Sequence, residues 1–95
     1  MAIKILNNIN IEKYNLLMSN IILSFKGTYR VNYLTQNEEK IYTVNSILYY
    51  YIDRNKDPIY SENHSYAITE QQLNNNLLEY MYTMLKNKYV NIENL

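Results

Sequence analysis

The chain has 95 residues, enough for one domain spanning 1–95 with a small core, in which every burying element has to contribute. Nine basic side chains balance nine acidic ones, so the sequence has neither the acidic excess of a nucleic-acid mimic nor the basic excess of a non-specific nucleic-acid binder. The absence of cysteine removes disulfide frameworks, thiolate metal sites and cysteine nucleophiles.

Taken from its start, the chain shows no basic, apolar and small-residue sequence of a signal peptide over MAIKILNNINIEK. No run approaches the roughly 20 apolar residues needed to span a bilayer. A cytoplasmic protein is therefore the expectation. Ala2 to Leu6 reads as a short strand with Ile3 and Ile5 on one side, followed by a turn at Asn7 and Asn8. From Ile11 to Phe25, the residues Ile11, Tyr14, Leu17, Met18, Ile21, Ile22 and Phe25 recur at three- and four-residue steps, the pattern of an amphipathic helix. Asn10 suits its N-cap, Glu12 its first turn, and Gly27 a left-handed C-terminal stop.

Thr28 to Leu34 alternates, with Tyr29, Val31 and Tyr33 on one side, and reads as a strand that turns back through Thr35–Glu39. The next run, KIYTVNSILYYYID from Lys40 to Asp53, is the densest stretch of β-branched and aromatic residues and the natural centre of a sheet. Extended, it puts Tyr42, Val44, Ser46, Leu48, Tyr50 and Ile52 on a core face, and Ile41, Thr43, Asn45, Ile47, Tyr49 and Tyr51 on the other. A helix over Ser46–Arg54, capped by Ser46, is the competing reading. Arg54–Asp57 forms a polar turn, Pro58 opens the next segment, and Ile59–Ser61 and Tyr66–Ile68 read as short strands around a Glu62–Ser65 turn.

Thr69 with Gln72 makes a capping box that opens a helix over about 70–89. Leu73, Leu77, Tyr80, Met81 and Met84 form its first apolar stripe, and Leu78, Tyr82, Leu85 and Tyr89 a second. Together they cover roughly 200°, against the roughly 100° that one core requires. Val90–Leu95 reads as a frayed tail. The fold class is thus α+β: an antiparallel sheet of three to four strands, with helices over about 11–25 and 70–89 packed on it.

No stretch carries a signature of catalysis. Asp53, Asn55 and Asp57 have the spacing that opens an EF-hand loop, but the sixth and twelfth positions hold Pro58 and His64 instead of glycine and glutamate. His64 is the single histidine, with no second histidine or cysteine to share a transition metal. Ser61, Glu62 and His64 contain the residue types of a nucleophilic set, yet neighbours in one short turn do not converge. Glu38–Glu39 falls in a solvated turn. The lone Gly27 supplies no phosphate-binding loop, and Asn63-His64-Ser65 fits a glycosylation pattern that nothing else in the chain supports. No cofactor or metal is implied.

Twelve tyrosines stand beside one phenylalanine and no tryptophan. Tyrosine joins a rigid contact area to a hydrogen-bonding tip, the chemistry of binding surfaces. Tyr14, Tyr29, Tyr33, Tyr42, Tyr50 and Tyr80 fall on core stripes. Of the remaining six, Tyr49, Tyr51, Tyr82 and Tyr89 are the surplus that, with Leu78 and Leu85, forms the candidate partner-binding set. The expected function is a non-enzymatic protein-binding module, with a homodimer through the C-terminal helix as one form of partner. In size, in Asn/Ile/Tyr/Lys-rich composition typical of AT-rich genomes, and in lack of motifs, the chain resembles the small proteins with which phages and mobile elements disable host machinery, anti-CRISPR inhibitors among them. That resemblance is one of genre and implies no site. The alternative is a nucleic-acid-associated regulator that stacks bases on tyrosines beside Lys26, Arg30, Arg54, Lys86 and Lys88.

Overall fold

The structure is a computed structural model that describes residues 2–6, 8–11, 16–26 and 28–95, with only the backbone described at 10, 11, 16 and 17. Its strands are β1 (Ile3–Ile5), β2 (Ile9–Ile11), β3 (Leu16–Met18), β4 (Ile21–Ser24), β5 (Arg30–Gln36), β6 (Glu39–Tyr51), β7 (Tyr60–Ile68) and β8 (Ile92–Asn94). A 3-10 turn at Gln71–Asn74 precedes the helix α1 (Leu77–Lys86). The class is α+β, with a six-stranded sheet in which every pairing is antiparallel and a small β2–β3 sheet beside it.

Strand β6 is the spine, as its residue content predicts. Along one edge it carries β7, from Tyr42–Ile68 to Tyr50–Tyr60. Its other edge is shared: β5 takes Glu39 to Asn45, and β4 takes Tyr49 to Tyr51. β4 then continues into β1 and β8. Between β5 and β4 that edge has a notch at residues 46–48, where the Ser46 hydroxyl donates to the Thr28 carbonyl.

The even-numbered face of β6 is the core face. Val44, Leu48 and Tyr50 pack with Ile3, Ile5, Ile21, Leu23, Phe25, Tyr66 and Ile68 under Leu77, Met81, Tyr82 and Leu85 of α1. Ile9 and Met18 of the small sheet join this core from its margin. On the opposite face, Ala2, Ile22 and Tyr51 form a second, smaller buried cluster.

Several expectations are corrected. The helix over Ile11–Phe25 is absent: its described residues lie in β2, β3 and β4, while 12–15, with Glu12 and Tyr14, lie outside the described residues, as do Asn7 and Gly27. The helical spacing came from adding two faces together. Ile21, Leu23 and Phe25 point at α1 with a period of two, and Ile22 is buried on the other side. Lys26, at φ 54°, is left-handed one position before Gly27, the expected helix stop.

The Glu62–Ser65 turn is also absent, because β7 runs unbroken from Tyr60 to Ile68. The C-terminal helix is split. Thr69 and Gln72 do form the reciprocal capping box (3.3 and 2.8 Å), but it caps only the 3-10 turn. The chain then extends at Asn75, and Asn76 opens α1 by accepting from the Glu79 amide at 3.1 Å. Three consecutive asparagines, whose amides compete for backbone groups, account for the break. The tail forms β8, locked onto β1 and flanked by hydrogen bonds from Leu6 to Asn91 and from Leu95 to Ala2. No helix among the described residues is long and apolar enough to cross a membrane.

Candidate functional site

Two features stand out once the elements are placed: a polar cluster beneath α1 and a hairpin whose β5 strand is exposed at every residue.

The cluster forms because β7 presents Tyr60, Glu62, His64 and Tyr66 on the core side and small polar residues outward. The Glu62 carboxylate accepts from the Tyr50 hydroxyl, from Tyr60 at 3.2 Å, and contacts His64 Nε2 at 2.7 Å. His64 Nδ1 in turn meets the Tyr66 hydroxyl at 3.0 Å, and the ring lies edge-on to Phe25. Burial alone would raise the Glu62 pKa, but the hydrogen bonds from Tyr50, His64 and Tyr60 outweigh it and hold the carboxyl below its ordinary value. Burial and the Glu62 charge push the Tyr50 phenol far up, and burial with its acidic neighbourhood takes Tyr66 to about 12. The phenols therefore remain donors at neutral pH. Glu62 and His64 do meet, but Ser61 points to the opposite face, so the Ser61 hydroxyl does not join them.

The Asp53–Asp57 segment is a plain turn in which Asp53 Oδ1 accepts from the Asn55 amide at 2.9 Å. Among the described residues, no group of three or more His, Cys, Asp or Glu side chains is placed to hold a metal ion.

The hairpin is β5 and the first half of β6. Asn37 and Glu38, at φ 52° and 66°, form a two-residue turn of the type I′ kind between Gln36 and Glu39. Its length explains its exposure: a ten-residue helix spans roughly 15 Å, whereas a thirteen-residue strand spans roughly 40 Å. The molecule is accordingly elongated, 45 × 25 × 24 Å. Tyr29 and Tyr33, expected in the core, are exposed, Tyr33 at 65%, as is Val31 between them. Leu34, Ile41 and Ile47 are exposed on the helix-free face. Tyr33 lies 6.0 Å from the Tyr42 ring and beneath the Lys40 ammonium at 5.5 Å. At the notch, Thr28, Arg30, Asn45, Ser46, Ile47 and Asn63 border an open groove of about 510 Å3.

The residues expected to bind a partner are dispersed. Tyr49 is half-buried and Tyr51 buried on the helix-free face, with the Lys26 ammonium over both rings at 5.5 and 5.2 Å. Tyr82 and Leu85 face inward. The Tyr82 hydroxyl accepts from the Phe25 amide at 2.9 Å, and its ring meets Phe25 edge-on at 5.1 Å. Leu78 and Tyr89 are half-buried against the core. The expected helix-mediated homodimer thus loses Tyr82 and Leu85 to the interior. The reason is the extra core surface supplied by β1, β4 and β8, which the wide apolar arc of α1 covers.

Sequence reasoning set Ile41 and Ile47 on the face away from the core, where they are exposed, but missed Val31, Tyr33 and Leu34 as exposed residues. The available signal was the mismatch between one long strand and a helix interrupted by asparagines. Comparisons with protein-family models, with curated proteins and with solved structures find no match to this chain.

Proposed function

We propose that the chain is a non-enzymatic recognition module whose β5–β6 hairpin binds another protein through its helix-free face. The observation that carries this reading is the gathering of exposed large apolar side chains on one hairpin, with Leu34, Ile41 and Ile47 on the uncovered face. Exposed apolar groups concentrated in one patch mark contact surfaces, whereas scattered ones need no explanation. Half-buried Tyr49 beside Lys26 extends the patch with an aromatic and a cation. The balanced charge and the small size fit an inhibitor that occupies a surface on a larger protein. The Asn-, Ile- and Tyr-rich composition is that of an AT-rich genome, and within that class a phage or mobile element acting in the bacterial cytoplasm is the source this reading takes.

The test is retention of a partner from a low-GC bacterial lysate on the immobilised protein, compared with the Ile41→Asp/Ile47→Asp double variant. The expected result is a partner that survives raised salt and is lost from the variant, while the melting temperature of the variant stays near that of the parent. If the protein instead binds DNA or RNA at submicromolar strength in physiological salt, with affinity falling steeply as salt rises, the nucleic-acid reading replaces this one.

A further inference from the structure

The outer edge of β5 is the feature that the hairpin-face reading leaves unused. Main-chain groups of successive residues in an antiparallel pair point alternately toward and away from the partner strand. The Tyr50 carbonyl accepts from Ile59 at 2.8 Å on the β7 side, so even-numbered residues of β6 turn toward β7 and odd ones toward β5. Through the register Asn32–Thr43 and Leu34–Ile41, the even residues of β5 then bond to β6. The outward N–H and C=O groups are those of Val31, Tyr33 and Thr35, and no described strand pairs with them.

Free edges are ordinarily guarded by lysine, proline, bulges, inward charges or a covering element. β7 has such guards: Pro58 precedes it, Glu62 points inward, and the Tyr80 hydroxyl donates to the Ala67 carbonyl at 3.1 Å. β8 is only three residues long. β5, with the sequence RVNYLTQ, is seven residues long and fully exposed, and it carries one charge, Arg30, at its end.

We infer that this edge pairs antiparallel with the same edge of a second copy of the chain, in a register centred on Tyr33. The register follows from the parity of the outward groups. Placing Tyr33 opposite Tyr33 of the second copy sets Val31 opposite Thr35 and Thr35 opposite Val31. All outward groups then meet, for roughly six main-chain hydrogen bonds around a two-fold axis. Side chains agree with this arrangement. Arg30 falls opposite neutral Gln36, and Glu39, paired with Gln36 in its own hairpin, lies one strand further on the same face. No like charges meet directly. The dimer leaves Ile41 and Ile47 uncovered and duplicates the proposed binding face.

The chain has no cysteine, so a single Tyr33→Cys substitution reports the register. A hydrogen-bonded pair has its Cα atoms about 5.5 Å apart, inside the roughly 4.4–6.8 Å span of a disulfide. Mild oxidation is expected to convert this variant to a covalent dimer and to leave Leu78→Cys on α1 monomeric. In sedimentation, the unmodified protein is expected to be a concentration-dependent dimer. Thr35→Pro removes an outward N–H that β6 does not use, so it should weaken dimerisation at least tenfold with circular dichroism unchanged. A protein that stays monomeric at millimolar concentration, or a dimer cross-linked through Leu78→Cys but not through Tyr33→Cys, overturns the proposal. Ile41→Asp/Ile47→Asp lies away from the edge and is expected to keep the dimer, so loss of the partner and loss of self-association are read separately.

Discussion

Glu62 is the residue at which local chemistry and global stability are most directly linked. Its folded pKa is depressed by hydrogen bonds that the unfolded chain lacks, so its stabilising contribution is present above the ordinary value of 4.5 and lost as pH falls below it. Tyr66 works in the opposite sense. Its folded pKa is raised from 10.0 to about 12, so its contribution is whole below 10.0 and is lost as pH rises beyond. The expected outcome is a melting temperature with a plateau near neutrality and a decline on both sides. Glu62→Gln should flatten the acid limb and weaken the alkaline limb only in part, because burial, the larger cause of the raised Tyr50 and Tyr66 values, remains, as followed by thermal denaturation across pH. Little of this cluster was legible in the sequence. Ser-Glu-Asn-His-Ser has the polarity of a turn, and polarity carries no information about the tyrosines across the sheet that satisfy inward Glu62 and His64.

Among the elements, the β5–β6 turn is the clearest case of local strain. A type I′ turn needs two residues at positive φ, and asparagine tolerates this better than most residues. Glu38, at φ 66°, does not share that tolerance. Glu38→Gly is therefore expected to stabilise the protein by about 1 kcal/mol in chemical denaturation, against the usual direction of random substitution. Where residue type and period agreed, the elements were legible: β1, the core face of β6 with Val44 and Leu48, the hairpin, and the Thr69–Gln72 cap all stand where their side chains point. The failures have two causes. In β4, strand residues buried on both faces imitated a helical period. In the C-terminal segment, the apolar stripe continued through Asn74–Asn76 although the backbone did not, because propensity rather than hydrophobicity decided the boundary.

For the molecule as a whole, the spine divides the fold into a sequential meander, β5–β6–β7, and a lateral wing of β4, β1 and β8. In the wing, β8 joins Ile3 to Asn94 and Ile5 to Ile92 across nearly the whole sequence. That placement has a kinetic consequence. Closing so long a loop costs more chain entropy than closing a two-residue turn, and a three-residue strand returns little for it. The order of assembly follows: the meander forms first and β8 docks after the rate-limiting barrier. Ile92→Ala is expected to cost on the order of 1 kcal/mol, with the loss appearing as faster unfolding and the refolding rate nearly unchanged in stopped-flow chevrons. Under native conditions the same inequality makes β8 the first strand to detach. Its amides should then exchange with solvent through openings much smaller than global unfolding, while those of Val44 and Leu48 wait for the whole protein to open.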